Sequence, residues 1–521
     1  TFAVTDKTVR IPYVVRNWFS DAREVEITLR IDGEPVETQD VIIQPMGRVE
    51  GSFLWRTDQP NNYRAQLVVK RVSGEADEAN NSLERTIQVR PERLQVLIIE
   101  SEPRWEYRFL RNALMRDPGI NVSCLLFHPD LENVGGGGKD YLESLPSLPG
   151  EWAKYDVVFL GDVAVTAGQL TLEQTRQIRG LVTDQAAGLV LMQGPRVGHT
   201  SLLQTDIAEL YPVVLDEQRP LGAGSEFESS FSLTRSGTTS LLTELADDRE
   251  ANWKVWESLP GFYWHAAVIR ARAGSDVLAV DANLSNQYGR LPLLATRPAG
   301  AGKVLFLGTD SAWRWRLGVE DKYHYRFWGQ VIRWMAYQRN MAVDETMRLS
   351  YRPEQPDVGE PVSFRASVMT EDGSPSQAES LRITSTLDEK EVGRIELKKA
   401  DSEWGVFIGE ADFPAPGIYT LELQHPSDEE TLRVRIEVQG DRVEKVGPPA
   451  RPDIMREIAR IGGGITAEPD DLASIVERIN RGFENNPEVR RVEWWNHPLV
   501  LLSMIGGLTV FWIGRKWAGS L

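Results

Sequence analysis

The chain has 521 residues, too many for one hydrophobic core, so we expect roughly three to four domains. Of these residues 41% are hydrophobic and 26% are charged, which excludes wholesale disorder. The net charge of −18, from 58 basic and 76 acidic residues, argues against a general nucleic-acid binder. The single cysteine, Cys124, excludes an internal disulfide and a thiolate zinc cluster. Because the chain begins at Thr1, we expect that an upstream segment has been removed.

Residues 1–91 alternate apolar or β-branched runs with turn residues, which is the pattern of antiparallel strands. The predicted strands are Val9–Val15, Val25–Ile31, Ala65–Val69 and Thr86–Val89. The sequence Glu78-Ala79-Asn80-Asn81 precedes the last of them. With this feature the segment resembles a small immunoglobulin-like (Ig-like) sandwich of the CARDB type.

The pattern changes at residue 92. From 92 to 342, continuous apolar strands alternate with helical stretches at 105–115, 172–182 and 323–337, which indicates a central doubly wound parallel sheet covered on both faces. The predicted strands are Leu94–Ile99, Val122–Phe127, Val157–Leu160, Gly188–Met192, Val277–Val280 and Val304–Leu307. The glycine run 135–138 predicts a flexible loop, and it lacks the Lys-Ser/Thr ending of a phosphate-binding loop.

The remaining chain predicts three further segments. Residues 343–439 return to short strands and predict a second Ig-like sandwich, which ends in the alternating run Gly417–Leu423. For residues 440–489 we predict a small helical linker, and for residues 490–521 a C-terminal transmembrane helix with a short tail. The fold class is therefore multidomain, with α/β and β parts.

The transmembrane prediction comes from Pro498–Gly514, seventeen residues without a charge, which suffice to cross the hydrocarbon core as a helix. Indole rings favour the membrane–water boundary, and four lie around the two ends of this run: Trp494, Trp495, Trp512 and Trp517. Arg515 and Lys516 follow the run, so we expect the C-terminal end to be cytoplasmic and the bulk of the chain extracytoplasmic, in a bacterial cell membrane. The alternative is a helix buried in a core.

Candidate site residues come from the ends of the predicted strands. In a doubly wound sheet, ligands bind beyond the carboxyl ends of the strands. In one interpretation, arginines there bind a carboxylate or phosphate. In the other, acidic groups cap the helices that follow and the arginines pair with nearby carboxylates. The ligand-crevice candidates are Glu100, Arg104, Asp162, Gln193, Arg196, Asp310, Arg314 and His324.

Aromatic residues are interleaved with arginine between 313 and 328. The pattern predicts either a recognition surface or, as the simpler alternative, a helix packed onto the sheet. The aromatic residues are Trp313, Trp315, Tyr323, Tyr325, Phe327 and Trp328.

Four segments carry a family resemblance: Val96–Phe127, with IESEPRWEYRFLRNALMRDPGINVSCLLF; Phe159-Leu160-Gly161-Asp162; Gly302–Arg316, with GKVLFLGTDSAWRWR; and Asp321–Trp334, with DKYHYRFWGQVIRW. Together they resemble the class I glutamine amidotransferase-like (flavodoxin-like) domain of large bacterial membrane proteins, which often carry a von Willebrand A domain upstream. The resemblance covers about residues 92–340. It implies a flavodoxin-like fold and an envelope complex with protein partners.

The amidotransferase chemistry itself is not expected. An active enzyme of that class needs a cysteine at a strand-to-helix elbow and a His-x-Glu pair. The elbow after Gly188–Met192 presents Gln193 and Gly194, and Asp310-Ser311-Ala312 stands where the pair would be sought. Cys124 lies in an apolar strand, which predicts a buried structural thiol.

Other catalytic patterns are weaker. The six histidines show no HExxH spacing, and no Gly-x-Ser-x-Gly occurs. His199, followed by Thr200 and Ser201, is the one hydroxyl–imidazole neighbourhood. We therefore expect no catalytic residue, no metal and no cofactor.

These observations predict a membrane-anchored extracytoplasmic binding or assembly protein with a catalytically degenerate amidotransferase-like domain. One alternative is a hydrolase that uses Glu100, Asp162 and Asp310, around a divalent cation. The other is a structural spacer for an upstream von Willebrand A domain. We expect the membrane and envelope proteins as partners, and no nucleic acid.

Overall fold

A computed structural model describes most of the chain. The described residues are 2–5, 8–59, 61–75, 79–90, 93–127, 140–246, 249–337, 339, 342–343, 346–370, 372–387, 390–400, 402–427, 430–440, 459, 476 and 498–519. The glycine run 135–138, Trp494, Trp495 and nearly all of the predicted linker 440–489 lie outside them. The chain divides into two units, Thr1–Lys445 and Val446–Leu521.

The N-terminal part of the first unit consists of two sheets around one core. A five-stranded sheet has the order β1-β7-β6-β3-β4, and a two-stranded sheet pairs β2 with β5. Ile27 and Leu29 of the larger sheet share a core with Phe53 of the smaller. The β3–β4 turn places Asp32 and Gly33 at φ of 50° and 89°, as an Asp-Gly hairpin turn requires. The strands are β1 (Phe2–Val4), β2 (Val9–Arg16), β3 (Arg23–Ile31), β4 (Glu34–Ile43), β5 (Arg48–Trp55), β6 (Asn61–Val69) and β7 (Ser82–Arg90).

The α/β part follows directly. Its strands are β8 (Leu94–Glu100), β9 (Ile120–Leu126), β10 (Val157–Leu160), β11 (Gly188–Leu191), β12 (Val213–Leu215), β13 (Ala223–Ser229), β14 (Phe231–Leu233), β15 (Phe262–His265), β16 (Val268–Ala271), β17 (Asp276–Asn286), β18 (Gly289–Ala299) and β19 (Gly302–Leu307). Its helices are α1 (Trp105–Met115), α2 (Pro149–Trp152), α3 (Leu172–Thr183), α4 (Arg249–Ser258) and α5 (Lys322–Ala336). Short 3-10 helices lie at Thr200–Gln204, Asp206–Leu210, Gly237–Thr239, Leu241–Thr243 and Ala312–Arg316.

The central sheet has eight strands in the order β14-β17-β18-β19-β11-β10-β8-β9. Five neighbouring strands of this sheet, β9, β8, β10, β11 and β19, run parallel to one another. Val96 and Ile98 of β8 pack on one face, with α1 and α5, while Leu97 and Ile99 pack on the other, with α3. The apolar strands are therefore buried on both sides, which explains their continuous hydrophobic sequences.

One predicted strand belongs to an antiparallel hairpin. Val277–Val280 lies in β17, which pairs antiparallel with β18, and not in the parallel portion of the sheet. The physical reason is the short turn between β17 and β18, because a turn this tight can join only antiparallel strands. The antiparallel strands β12 to β16 and β18 lie outside the predicted strands.

The C-terminal part of the first unit is one eight-stranded sheet, in the order β20-β21-β22-β25-β24-β23-β26-β27. It curls around a single core, to which Met347 of β21 and Val438 of β27 both contribute. Its strands are β20 (Ala342–Val343), β21 (Met347–Arg352), β22 (Val362–Val368), β23 (Ser380–Leu387), β24 (Lys390–Lys399), β25 (Val406–Ala411), β26 (Gly417–Gln424) and β27 (Thr431–Val438).

A buried joint connects this sheet to the α/β part. Arg339 donates from Nε to Asp156 Oδ1 at 3.2 Å and from its other two nitrogens to the carbonyls of Gln185 and Ala153. Arg348 of β21 donates to the same Asp156 oxygen at 3.4 Å. The two parts are thus held by arginines that bind both backbone and carboxylate acceptors of the α/β part.

The second unit contains α6 (Pro498–Trp517), a helix of 20 residues. At 1.5 Å per residue it is about 30 Å long, the thickness of a hydrocarbon core. By length and composition it is able to cross a membrane, and none of its residues is buried within the structure. Arg515 and Lys516 lie in its last turn.

Candidate functional site

The carboxyl ends of β8, β10, β11 and β19 lie at one edge of the central sheet, because these strands are parallel and adjacent. Glu100 is the last residue of β8, and Asp162, Gln193 and Asp310 follow β10, β11 and β19 within three residues. Four of the predicted candidates therefore meet at this edge. We call it the carboxyl-edge crevice.

Glu100 is the buried centre of the crevice, with no exposed surface. Its Oε2 accepts from Arg104 Nε at 2.9 Å, and its Oε1 accepts the backbone N–H groups of Ser101 at 3.0 Å and Asp162 at 2.9 Å. Burial raises the pKa of Glu100, although Arg104 opposes the increase. Gly161 permits this packing, because a Cβ there would lie 2.1 Å from Glu100 Oε2.

Asp162 holds the loop that comes after β11. Its Oδ2 accepts the backbone N–H groups of Arg196 at 2.9 Å and Val197 at 3.0 Å, and its Oδ1 accepts that of Gly198 at 2.7 Å. Burial alone would raise the pKa of Asp162, but Arg104 and these N–H donors hold it below its usual value. In the helix-capping alternative Asp162 would cap the helix after its strand, but α3 begins only at Leu172.

Arg104 connects three strand ends. In addition to its bond with Glu100, its Nη2 donates to the carbonyl of Met192, after β11, at 2.7 Å. The charge of Asp310, after β19, acts on Arg104 as well. Burial raises the pKa of Asp310, while Arg104 lowers it. The Nη1 of Arg104 is buried and has no hydrogen-bond partner among the described residues, so one strong donor is left for another group.

Two further side chains of the crevice retain unpaired atoms. Gln193 donates from Nε2 to the carbonyl of Pro220 at 2.7 Å, and its buried Oε1 has no partner in the described part of the chain. His199 bonds through Nε2 to the carbonyl of Gly161; since a carbonyl only accepts, Nε2 carries the proton. Its Nδ1 is buried without a described partner. Burial lowers the pKa of His199 to about 4, so the imidazole is neutral.

The side chains of the remaining candidates have partners outside this cluster, although the backbone N–H of Arg196 donates to Asp162. Arg196 is exposed and pairs with Glu102, and Arg314 pairs with Glu228 at 3.2 Å. His324 is a buried residue of α5, where its Nε2 accepts from Trp328 Nε1 at 3.1 Å. The ion pairs of Arg196 and Arg314 agree with the second interpretation of the sequence, in which the arginines pair with nearby carboxylates. His324 acts as a packing residue of α5.

Glu106 belongs to the same region, although no sequence pattern singled it out. Glu106 is 1% exposed, and its Oε2 accepts the backbone N–H of Trp313 at 3.1 Å. Its Oε1 has no hydrogen bond to a described residue and lies 3.9 Å from His324 Nε2. An acidic residue in the first turn of a helix is usually a surface group that favours the helix dipole, so the sequence carried no signal of this burial.

The arrangement does not favour metal-assisted hydrolysis. Glu100 and Asp162 direct their oxygens at Arg104 and backbone N–H groups. Among the described residues, no three His, Cys, Asp or Glu side chains are grouped so that they could hold a metal ion. Cys124 is buried in β9 beside Tyr107 and Arg111, and burial raises the pKa of its thiol. A buried thiol of this kind is a poor nucleophile.

The aromatic residues divide between the two predicted roles. Trp315, Phe327 and Trp328 are fully buried in the core, as the packing alternative expects. Trp313 instead joins Trp105 and Phe109 at the surface: Phe109 lies 5.7 Å from Trp105 and 5.9 Å from Trp313 between ring centroids. We call these three residues the aromatic ridge.

Arginines lie over the aromatic ridge. The guanidinium carbon of Arg316 is 3.9 Å from the Phe109 ring centroid, and that of Arg108 is 5.4 Å from the Trp105 ring centroid. Trp105 is 57% exposed. Because Trp105 follows Arg104 directly and the backbone N–H of Trp313 donates to Glu106, the ridge adjoins the carboxyl-edge crevice. Such aromatic and arginine side chains suit protein recognition.

Comparison with known proteins shows no family. No family model matches the chain, and no curated protein matches it. The amidotransferase and von Willebrand resemblances therefore stay predictions.

Several solved structures are similar in part. The cytoplasmic protein STM1381 from Salmonella typhimurium LT2 is 16% identical, with a TM-score of 0.35 over 46% of this chain and 99% of that one. The CARDB domain of PF1109 from Pyrococcus furiosus is 20% identical, with a TM-score of 0.17 over 18% of this chain and 87% of that one. A β-galactosidase from Bacillus circulans sp. alkalophilus is 12% identical, with a TM-score of 0.25 over 61% of this chain and 41% of that one. CARDB neighbours thus cover a small part of a multidomain, strand-rich chain.

Proposed function

We propose that this chain is a membrane-anchored extracytoplasmic binding or assembly protein, whose α/β part is a catalytically degenerate glutamine amidotransferase-like domain. The parallel strand order β9-β8-β10-β11-β19 supports the fold part of this proposal, because it is the 2-1-3-4-5 order of flavodoxin-like sheets. In such sheets the crevice lies where the strand order reverses, here between β8 and β10.

The observation that carries the binding function is the partly exposed aromatic ridge beside the carboxyl-edge crevice, in which Trp105 is exposed and Phe109 and Trp313 are half-buried. Tryptophan and arginine are the residues that most often dominate the energy of protein interfaces. A partner that covers Trp105 and Trp313 removes large apolar surfaces from water while their arginine neighbours supply hydrogen bonds. A protein partner is therefore the ligand that this surface fits best.

The loss of amidotransferase activity is supported by the residues at the elbow after β11. Gln193 and Gly194 stand there, and a Cβ at position 194 would lie 2.7 Å from Asp162 Oδ2. A cysteine at 194 would thus displace the carboxylate that holds the loop. Cys124 has its thiol in the core.

The anchor and its orientation complete the proposal. α6 has Arg515 and Lys516 at its C-terminal end, and positive residues next to a span favour the cytoplasmic side. Protease added to right-side-out cells is expected to degrade the first unit and to leave α6 in the membrane. Complete protection of the first unit in these cells, with digestion only after lysis, would contradict an extracytoplasmic location.

Photo-crosslinking in native membranes tests the partner surface. A photoreactive phenylalanine analogue replaces Trp105 in the full chain, and Trp253 in a control, because Trp253 is similarly exposed at 50% but lies on α4. We expect a discrete adduct from position 105, lost when Trp313→Ala is added, and none from position 253. Equal adducts from both positions, or none from 105, would contradict a partner at the ridge.

Two further measurements separate the competing functions. Ammonia release from glutamine that depends on Cys124 would overturn the degenerate-domain proposal. Deletion of residues 92–340 without loss of the cellular phenotype of the chain would favour the spacer function over binding.

A further inference from the structure

A second cavity lies at the opposite edge of the central sheet, where the α/β part meets the C-terminal sheet. It is an open groove of about 630 Å³. One wall is formed by Ala186, before β11, and by the β18–β19 turn at Gly300–Ala301. The floor is formed by β21, β22, β24 and β25. Its volume suits a small molecule, and ligand sites occur preferentially at such boundaries between domains. We call it the joint groove.

The lining of the joint groove is cationic, although the whole chain carries a net charge of −18. Its charged side chains are Arg352, Arg365, Lys398 and Lys399, against the single carboxylate of Glu410. Four positive groups around one cavity in an acidic protein create a local potential that attracts anions. The charge excess favours an anion with more than one negative charge.

The geometry holds one cation in place and leaves another available. Arg365 donates from Nε at 3.1 Å and from Nη2 at 2.8 Å to the carbonyl of Asp184, so its guanidinium is fixed at the joint. Its Nη2 also lies 3.7 Å from Asp184 Oδ1, and its side chain is still 30% exposed. Lys398 is exposed on β24, and its ammonium makes no hydrogen bond or ion pair with any described residue. Arg365 and Lys398 both pair with Ile408, from β22 and β24, so a fixed guanidinium and an unpaired ammonium flank the same position of β25. Both groups are suited to binding phosphate.

The rest of the lining supplies a less polar surface. Ile408 of β25 is 47% exposed and faces Lys398 across the β24–β25 pairing. Ala301 lies on the opposite wall. Glu410 accepts from Ser363 Oγ at 3.1 Å, which holds the one negative group of the floor in place. An anion with an attached apolar portion would match both kinds of surface.

We propose that the joint groove binds a small molecule that carries a multiply charged phosphate group, with Arg365 and Lys398 as the anion-binding residues and Ile408 in contact with its apolar portion. The phosphate is recognised in the same way whether it belongs to a soluble organic phosphate or to the headgroup of an anionic lipid. This site is independent of the aromatic ridge and of the proposed partner.

Calorimetric titration of the full chain in neutral detergent tests the proposal with three probes: inorganic pyrophosphate, a short-chain phosphatidic acid below its micelle concentration, and acetate. We expect saturable binding of the first two and none of acetate. Binding of phosphatidic acid at least tenfold tighter than pyrophosphate identifies the lipid source, and comparable affinities identify a soluble phosphate. Absence of saturable binding for both phosphate probes would overturn the proposal.

Variants locate the binding in the groove. Lys398→Ala is expected to weaken pyrophosphate binding about tenfold, since it removes one charge-assisted hydrogen bond. Lys390→Ala, on the same strand but outside the groove, changes the net charge equally and is expected to have less than a twofold effect. Glu410→Gln should tighten binding, because it removes the repelling carboxylate. Equal losses in the two lysine variants would show a general charge effect and overturn the site.

Discussion

The two edges of the central sheet each contain a largely buried arginine, and the hydrogen-bond donors of the two arginines are satisfied to different extents. At the joint, all three nitrogens of Arg339 donate to acceptors of the α/β part. At the carboxyl-edge crevice, Arg104 donates to Glu100 and to Met192, and its Nη1 has no partner among the described residues. A buried donor without a partner costs about 1–3 kcal/mol, so a purely structural contact does not usually retain one. The joint is therefore built for stability, whereas the crevice keeps capacity for another group.

The charge balance of the two edges is also opposite. At the joint, Arg339 and Arg348 share one carboxylate, Asp156. Burial, with Arg348 as the second cause, lowers the pKa of Arg339 to about 9. At the crevice, one arginine faces three carboxylates, those of Glu100, Asp162 and Asp310. The edges therefore differ in the sign of the charge that an incoming group would meet.

The largest effect is expected at the joint. Arg339→Met leaves Arg348 and the backbone N–H of Gln95 as the partners of Asp156 and removes the Arg339 donors to the carbonyls of Gln185 and Ala153, so the free energy of unfolding should fall by about 3–5 kcal/mol. Urea unfolding followed by tryptophan fluorescence measures the loss. Arg348→Met, at a more exposed position, serves as the control and should cost less. A loss below about 1 kcal/mol for Arg339→Met would contradict the structural role of the joint.

A smaller loss is expected from Arg104→Met at the crevice, about 3 kcal/mol. It removes the cation beside buried Glu100, but two backbone N–H groups continue to bind that carboxylate. Glu100→Gln in the same background should restore part of the stability, because the amide no longer carries an unpaired buried charge. Simple additivity of the two substitutions would mean that Glu100 and Arg104 do not act as a pair.

The pH dependence of stability tests the neutral imidazole of the crevice. His199 has a folded pKa of about 4, below its unfolded value of about 6.5, so the unfolded state binds more protons. Its contribution is fully present above pH 6.5 and is lost as the pH falls toward 4. Between pH 7.5 and pH 5 the wild type should lose about 2 kcal/mol more than His199→Asn, by urea unfolding at both values. Identical losses would show that His199 is not held neutral.

The smallest effect on stability is expected in the joint groove. Lys398→Ala should change the free energy of unfolding by no more than about 0.5 kcal/mol, because this lysine is exposed and its side chain makes no described polar contact. Differential scanning calorimetry of this variant beside Arg339→Met would separate residues that bind from residues that hold the joint. A large loss for Lys398→Ala would assign the groove to stability.

The sequence predicted the α/β elements well where burial is a local property. The run Leu94–Ile99 falls in β8, with successive residues facing the two cores, and the helical spacing at 105–115 agrees with α1. It failed for Val277–Val280, because an apolar strand of four residues has the same pattern in a parallel and in an antiparallel pair. The domain boundaries and the membrane orientation stay predictions.

The crevice was predicted in position and not in detail. Strand ends identified Glu100, Arg104, Asp162, Gln193 and Asp310 as neighbours, because the edge of a parallel sheet collects them. Nothing in the local sequence indicated that Asp162 would bind a loop more than thirty residues later, or that Arg314 would turn toward Glu228 in the insertion. Those contacts depend on segments that are distant in the chain.

The sequence by itself determined the strands and helices whose burial is continuous or periodic, and the 20-residue apolar helix α6. Hydrophobic pattern and length are properties of single segments, so they can be read without the rest of the fold. The tertiary structure alone decided which polar groups are satisfied and which are left over. The order of the strands around a buried arginine decides whether all or only some of its N–H donors find acceptors. That order is a property of the whole sheet.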